Sequence, residues 1–91
     1  MPATRFSRED VETRVLGAIK KFSSDKPIPV EEDLRNSLGL DSLQTAEIIQ
    51  DVEESLELEP MSDRDYARLE GNASPRYITD YFHSRVSSRE S

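Results

Sequence analysis

Val11, Val15, Ala18, Ile19 and Phe22 recur at steps of three and four residues, which places them on one narrow arc of a helix. Ser7 with Asp10 three residues on forms a capping-box-like start, so the spacing predicts a first helix over residues 8–23. The run Ser23-Ser24-Asp25-Lys26-Pro27 ends it, and Pro27 and Pro29 keep the next residues extended. A long connection then reaches Leu40, anchored by Ile28, Val30, Leu34, Leu38 and Leu40, with a short helical turn expected within 31–37.

Gly39 punctuates the chain, and Asp41 with Gln44 three residues on reads as an N-cap and capping-box variant, making Ser42 the first residue of a second long helix. Thr45, Ile49, Val52 and Leu56 share one side of it with Ile48 beside them, whereas Gln44, Glu47, Asp51 and Glu54 point away. Pro60 closes that region. Ser62 with Asp65 starts a short helix through Leu69, closed by Gly71-Asn72, and Ser74-Pro75 supplies a cap and first-turn proline for a last helix to about Val86. Ile78, Tyr81 and Phe82 are its expected buried face, and the tail VSSRES has too little apolar content to pack. No strand alternation is evident. The pattern predicts an all-α fold, a small four-helix bundle of three longer helices and a short third one.

With 91 residues there is room for one domain, a single unit over 1–91 with a core at about 8–86 and flexible ends at 1–6 and 87–91. The absence of cysteine removes disulfides, thiolate nucleophiles and Cys-based zinc sites, and one histidine cannot build a His cluster, so no intrinsic metal or thiol chemistry is expected. His83 reads as a surface or boundary residue. No run approaches the roughly 20 apolar residues of a membrane span, and MPATRFSRED lacks the apolar centre of a signal peptide. A cytoplasmic, monomeric protein is the expectation.

Charge changes the picture. The net charge is −7, and between Asn36 and Asp63 there are eight acids and no Lys or Arg, leaving eleven acids against twelve bases elsewhere. The whole excess sits on and around the second long helix. Such a patch repels nucleic acid and anionic lipid and favours protein surfaces rich in Lys and Arg.

Asp41-Ser42-Leu43 alone is a weak motif. Its conjunction with Gly39 and Leu40, at the head of an acidic amphipathic helix in mid-chain, resembles the phosphopantetheine-dependent acyl carrier protein family, over about residues 8–86 and most specifically along LGLDSLQTAEIIQDVEESLELE. The resemblance implies that Ser42 carries 4′-phosphopantetheine through a phosphodiester and that the arm's thiol holds acyl groups as thioesters. It implies transferase recognition at Asp41 and Leu43, with Asp41 helping to position Mg²⁺ and coenzyme A. It also implies a partner-docking surface of Leu43, Ala46, Glu47, Gln50, Glu53 and Glu54.

The implied partners are a phosphopantetheinyl transferase, an acyl- or aminoacyl-loading ligase or transferase, and synthase enzymes with basic docking surfaces, in fatty acid, polyketide or specialised lipid synthesis. The protein itself would not be an enzyme. Gln44 stands where the family usually has an acid, and Gln50 where an apolar residue is common. Met61 to Ser74 is longer than the usual third helix and its loop. An aminoacyl carrier is the second reading, from the loose likeness of DRDYARLEGNASPRYI to D-alanyl carriers. An acidic helical adaptor with no prosthetic group is the alternative of another class. Tyr66, Tyr77, Tyr81 and Phe82 read first as core and second as the lining of an acyl cavity.

Overall fold

The computed structural model describes residues 6–23 and 27–90, the side chains of residues 89 and 90 excepted. Its elements are α1 (Arg8–Ser23), α2 (Leu34–Ser37), α3 (Ser42–Ser55), α4 (Asp63–Gly71) and α5 (Pro75–Glu90). The described residues form a small helical bundle: four helices in the predicted order and a single helical turn, α2, inside the long connection. Among them no helix is long and apolar enough to cross a membrane.

Local sequence explains the helix starts. The Asp10 amide donates to Ser7 Oγ at 3.1 Å and the Ser7 amide donates to Asp10 Oδ2 at 3.3 Å, so α1 opens on a reciprocal box. Glu9 and Asp10 lie in its first turn and Lys20 and Lys21 in its last, each sign matched to the helix dipole. The Tyr77 amide donates to Ser74 Oγ at 3.1 Å, and Pro75, which has no N–H to satisfy, opens α5.

α1 packs against both α3 and α5, and the three share one apolar core. Val11, Val15 and Ile19 of α1, Ile48 and Val52 of α3 and Ile78, Phe82 and Val86 of α5 are fully buried. Burying such a side chain contributes about 1.5–3 kcal/mol each before conformational entropy is subtracted.

The two ends depart from expectation. Phe6, placed by the sequence in a flexible lead-in, is buried in the core cluster, and the Arg14 guanidinium lies 4.7 Å from its ring centroid. α5 continues past Val86 to Glu90. No Gly or Pro interrupts residues 87–90, and extending a formed helix costs far less than nucleating one, so the ladder continues without an apolar stripe to hold it. Residues 1–5 and Ser91, also expected to be flexible, lie outside the described residues.

The long connection is strapped down by backbone groups. Asp33 caps α2 by accepting from the Arg35 amide at 2.8 Å through Oδ1, and its Oδ2 accepts from the Ala73 amide at 3.1 Å. The Leu34 amide donates to the Ala73 carbonyl at 3.0 Å, and the Arg76 amide to the Val30 carbonyl at 2.9 Å. One aspartate thus ties the connection to the α4–α5 junction. Burial pushes the Asp33 carboxyl up, but the two backbone donors and the neighbouring Arg35 outweigh it, and the net pKa lies below the ordinary value.

Candidate functional site

The approach to α3 is set by two residues with opposite tasks. Gly39 takes φ +69°, the left-handed region that glycine enters without a Cβ penalty. Leu40 is then driven into the core, and its amide donates to the Leu34 carbonyl at 3.4 Å. The chain leaves this anchor with Asp41 extended and α3 beginning at Ser42.

Asp41 Oδ1 accepts from the Gln44 amide at 2.8 Å, and Gln44 Oε1 accepts from the Asp41 amide at 3.1 Å, so the capping box is complete. Gln44, which looked like a departure from an acidic pattern, closes the cap. The Asp41 carbonyl accepts from the Thr45 amide and from Thr45 Oγ1, both at 3.0 Å. Ser42 is therefore held as the first helical residue, exposed. Its own amide and that of Leu43 fall in the first turn, where a helix provides no internal acceptor and the dipole is positive. Such a corner suits an anion joined to the Ser42 hydroxyl.

The outward side of α3 carries the acidic face. Leu43 is 69% exposed, the most exposed large apolar side chain described. Glu47, Gln50 and Glu54 are exposed and Ala46 is half-buried. Among the described residues no Lys or Arg pairs with Glu47 or Glu54, whereas Asp51 is met by Lys21 of α1 at 2.9 Å. The negative field is therefore concentrated on the Glu47 and Glu54 side.

Glu53 corrects the sequence reading, which put it on the docking surface. It is only 6% exposed, and its Oε2 accepts from the Met61 amide at 2.7 Å and lies 3.5 Å from Arg85 Nη1 of α5. Four residues after Ile49 and next to Val52, it falls inside the buried arc, and a cation from α5 offsets the charge. That partner lies far along the sequence, so periodicity gave no sign of it.

A groove of about 550 Å³ runs beside α3. It is lined by Ala46, Ile49, Gln50, Glu53 and Glu54 of α3, by Leu58, Pro60 and Met61 of the following segment, and by Asp63 and Tyr66 of α4. The Tyr66 hydroxyl lies 3.4 Å from the Ser42 carbonyl and 3.2 Å from Glu70 Oε2, so one phenolic proton serves two acceptors. Burial and then the Glu70 charge raise the Tyr66 pKa. Of the four aromatic residues weighed between core and cavity, Tyr66 lines this groove and Phe82 is fully buried in the core. Tyr81 is half-buried and donates to Asp65 Oδ2 at 2.9 Å; burial and this bond push its pKa up to about 12.

Ser42 thus stands exposed at the capped start of α3, flanked by the acidic face and the groove, in a small helical domain. The family described as phosphopantetheine attachment site matches residues 13–81, most of the chain, and the chain belongs to that family. Its members carry 4′-phosphopantetheine covalently on a serine, and the domain is a carrier that works with phosphopantetheinyl transferases and synthases.

Proposed function

We propose that Ser42 is the attachment serine and that the protein is an acyl carrier, holding acyl intermediates for enzymes of fatty acid, polyketide or specialised lipid synthesis in the cytoplasm. The observation that carries the reading is the exposed Ser42 at the first position of α3, behind the complete Asp41–Gln44 cap. The residues present fit a phosphodiester: an accessible hydroxyl, first-turn amides beside it, and the positive end of a helix dipole to favour the negative charge. When bound, the arm supplies a thiol on which acyl groups are held as thioesters.

The rest of the site supports presentation rather than turnover. In this reading Ser42 is a point of attachment, and the chemistry on the cargo belongs to the partner enzymes that dock beside it. Leu43, Ala46, Glu47, Gln50 and Glu54 form the docking surface for basic partner enzymes, and Glu53 is left out of it. Asp41 both caps α3 and contributes to recognition by the transferase with its Mg²⁺ and coenzyme A. The groove along α3 receives the cargo end.

A second reading, an aminoacyl carrier, is favoured by the polar part of that lining, where Gln50, Glu54 and Asp63 accompany the apolar Ala46 and Ile49. A cargo with a free ammonium group gains from such a lining.

The deciding experiment is intact mass after incubation with coenzyme A, Mg²⁺ and a broad-specificity phosphopantetheinyl transferase. Wild type should gain one arm and Ser42→Ala none. No gain on folded wild type would sink the carrier reading and leave the acidic adaptor without a prosthetic group.

A further inference from the structure

The groove has a direction. Along α3, Ala46 lies about 6 Å from Ser42 and Glu53 about 16 Å, at 1.5 Å per residue. Tyr66, which both lines the groove and reaches the Ser42 carbonyl at 3.4 Å, marks the end that adjoins the serine. Leu58, Pro60 and Met61 wall the other end.

The far end is chemically unlike the apolar lining. Beyond Ala46 and Ile49 stands the Glu53 carboxylate, with a side chain 7% exposed, taking the Met61 amide at 2.7 Å and facing Arg85 Nη1 at 3.5 Å. Arg85 Nη2 donates to the Glu59 carbonyl at 3.0 Å. Glu53 and Arg85 therefore clamp the segment 59–61 onto α3 and α5, and that segment is the end wall.

We infer that Glu53 is a specificity-determining residue which closes the far end of the groove and restricts the cargo seated there to short acyl groups. The inference rests on the attachment reading for Ser42. An alkyl chain entering beside Tyr66 first covers Ala46 and Ile49, where apolar contact is favourable. A longer chain must then pass Glu53, either lying against a desolvated carboxylate or pulling it from the Met61 amide and Arg85, which leaves buried polar groups unpaired. Short groups end before that cost arises.

The test uses the full chain carrying its arm, loaded with butyryl, octanoyl or palmitoyl groups and followed by two-dimensional amide and methyl NMR together with exchange of the Met61 amide. In wild type the short groups should shift the Ala46 and Ile49 signals and leave Met61 exchange unchanged. Palmitoyl should add no shift at Leu58 or Met61 and should be cleaved by hydroxylamine as fast as an exposed thioester. In Glu53→Leu, palmitoyl should shift Leu58 and Met61 and resist hydroxylamine severalfold more than on wild type. Palmitoyl reaching Met61 in wild type, or butyryl and octanoyl leaving Ala46 and Ile49 unmoved, would overturn the inference; both are read on wild type and do not depend on the variant folding. Failure of the attachment reading would show separately, as no mass gain at Ser42.

Discussion

Asp41 is assigned two tasks, and substitutions separate them. Asp41→Ala removes the acceptor of the Gln44 amide at 2.8 Å and the reciprocal partner of the Gln44 side chain, while the Asp41 carbonyl bonds to Thr45 are backbone groups that stay. Losing a cap side chain costs about 0.5–2 kcal/mol. Here the site is exposed and water replaces part of the lost bond, so the expected loss is about 1 kcal/mol. In a domain of this size that lowers Tm by about 4–8 °C. Asp41→Asn keeps an acceptor oxygen and should stay within about 0.5 kcal/mol of wild type, because Asn and Asp cap almost equally.

Modification rates then report the second task. Asn cannot offer a charge to Mg²⁺ or to a basic transferase side chain, so Asp41→Asn should be modified about tenfold more slowly, the factor for roughly 1.4 kcal/mol of lost charge-assisted bonding. Thermal melts and initial rates by intact mass would be compared for wild type, Ala and Asn. Equal loss of Tm in both variants would refute the capping argument. An Asn variant modified at the wild-type rate would refute the recognition role and leave Asp41 as a cap alone.

Asp33→Asn should destabilise by about 1–3 kcal/mol in urea titration, since it weakens two backbone bonds to a charged acceptor at a partly buried position. Because its folded pKa lies below the unfolded reference of 3.8, this contribution is complete above that pH and is lost as pH falls through the folded pKa; a wild-type advantage unchanged in strong acid would contradict the assignment. Glu47→Lys with Glu54→Lys should slow modification or loading at low salt and less so at high salt, as expected for an exposed docking face. Unchanged low-salt rates would remove this side of α3 from the docking surface.

Capping chemistry and apolar period made the elements readable. Both depend on residues within a turn or two of one another: Ser7 with Asp10 and Asp41 with Gln44 each form their bonds over three residues, and the starts of α1 and α3 fall where those pairs put them. The last helix shows where that reasoning stops. Its polar tail gave no reason to continue, yet none to break either, and the ladder ran on to Glu90. At the site, the position of Ser42 in the first turn was legible for the same local reason, whereas the groove was not, because its walls come from α3, the segment after it and α4.

The sequence by itself determined the all-α pattern, the helix starts, the concentration of negative charge around α3 and the placing of a serine at its head. Each is a property of neighbours along the chain. Tertiary structure alone decided that Glu53 turns inward to Met61 and Arg85, that Asp33 holds the long connection through Ala73, and that Tyr66 of α4 reaches back to the carbonyl of Ser42. Those partners are eight, thirty-two, forty and twenty-four residues apart, brought together by burial of the shared core, and no periodicity along the chain encodes which polar groups such burial will pair.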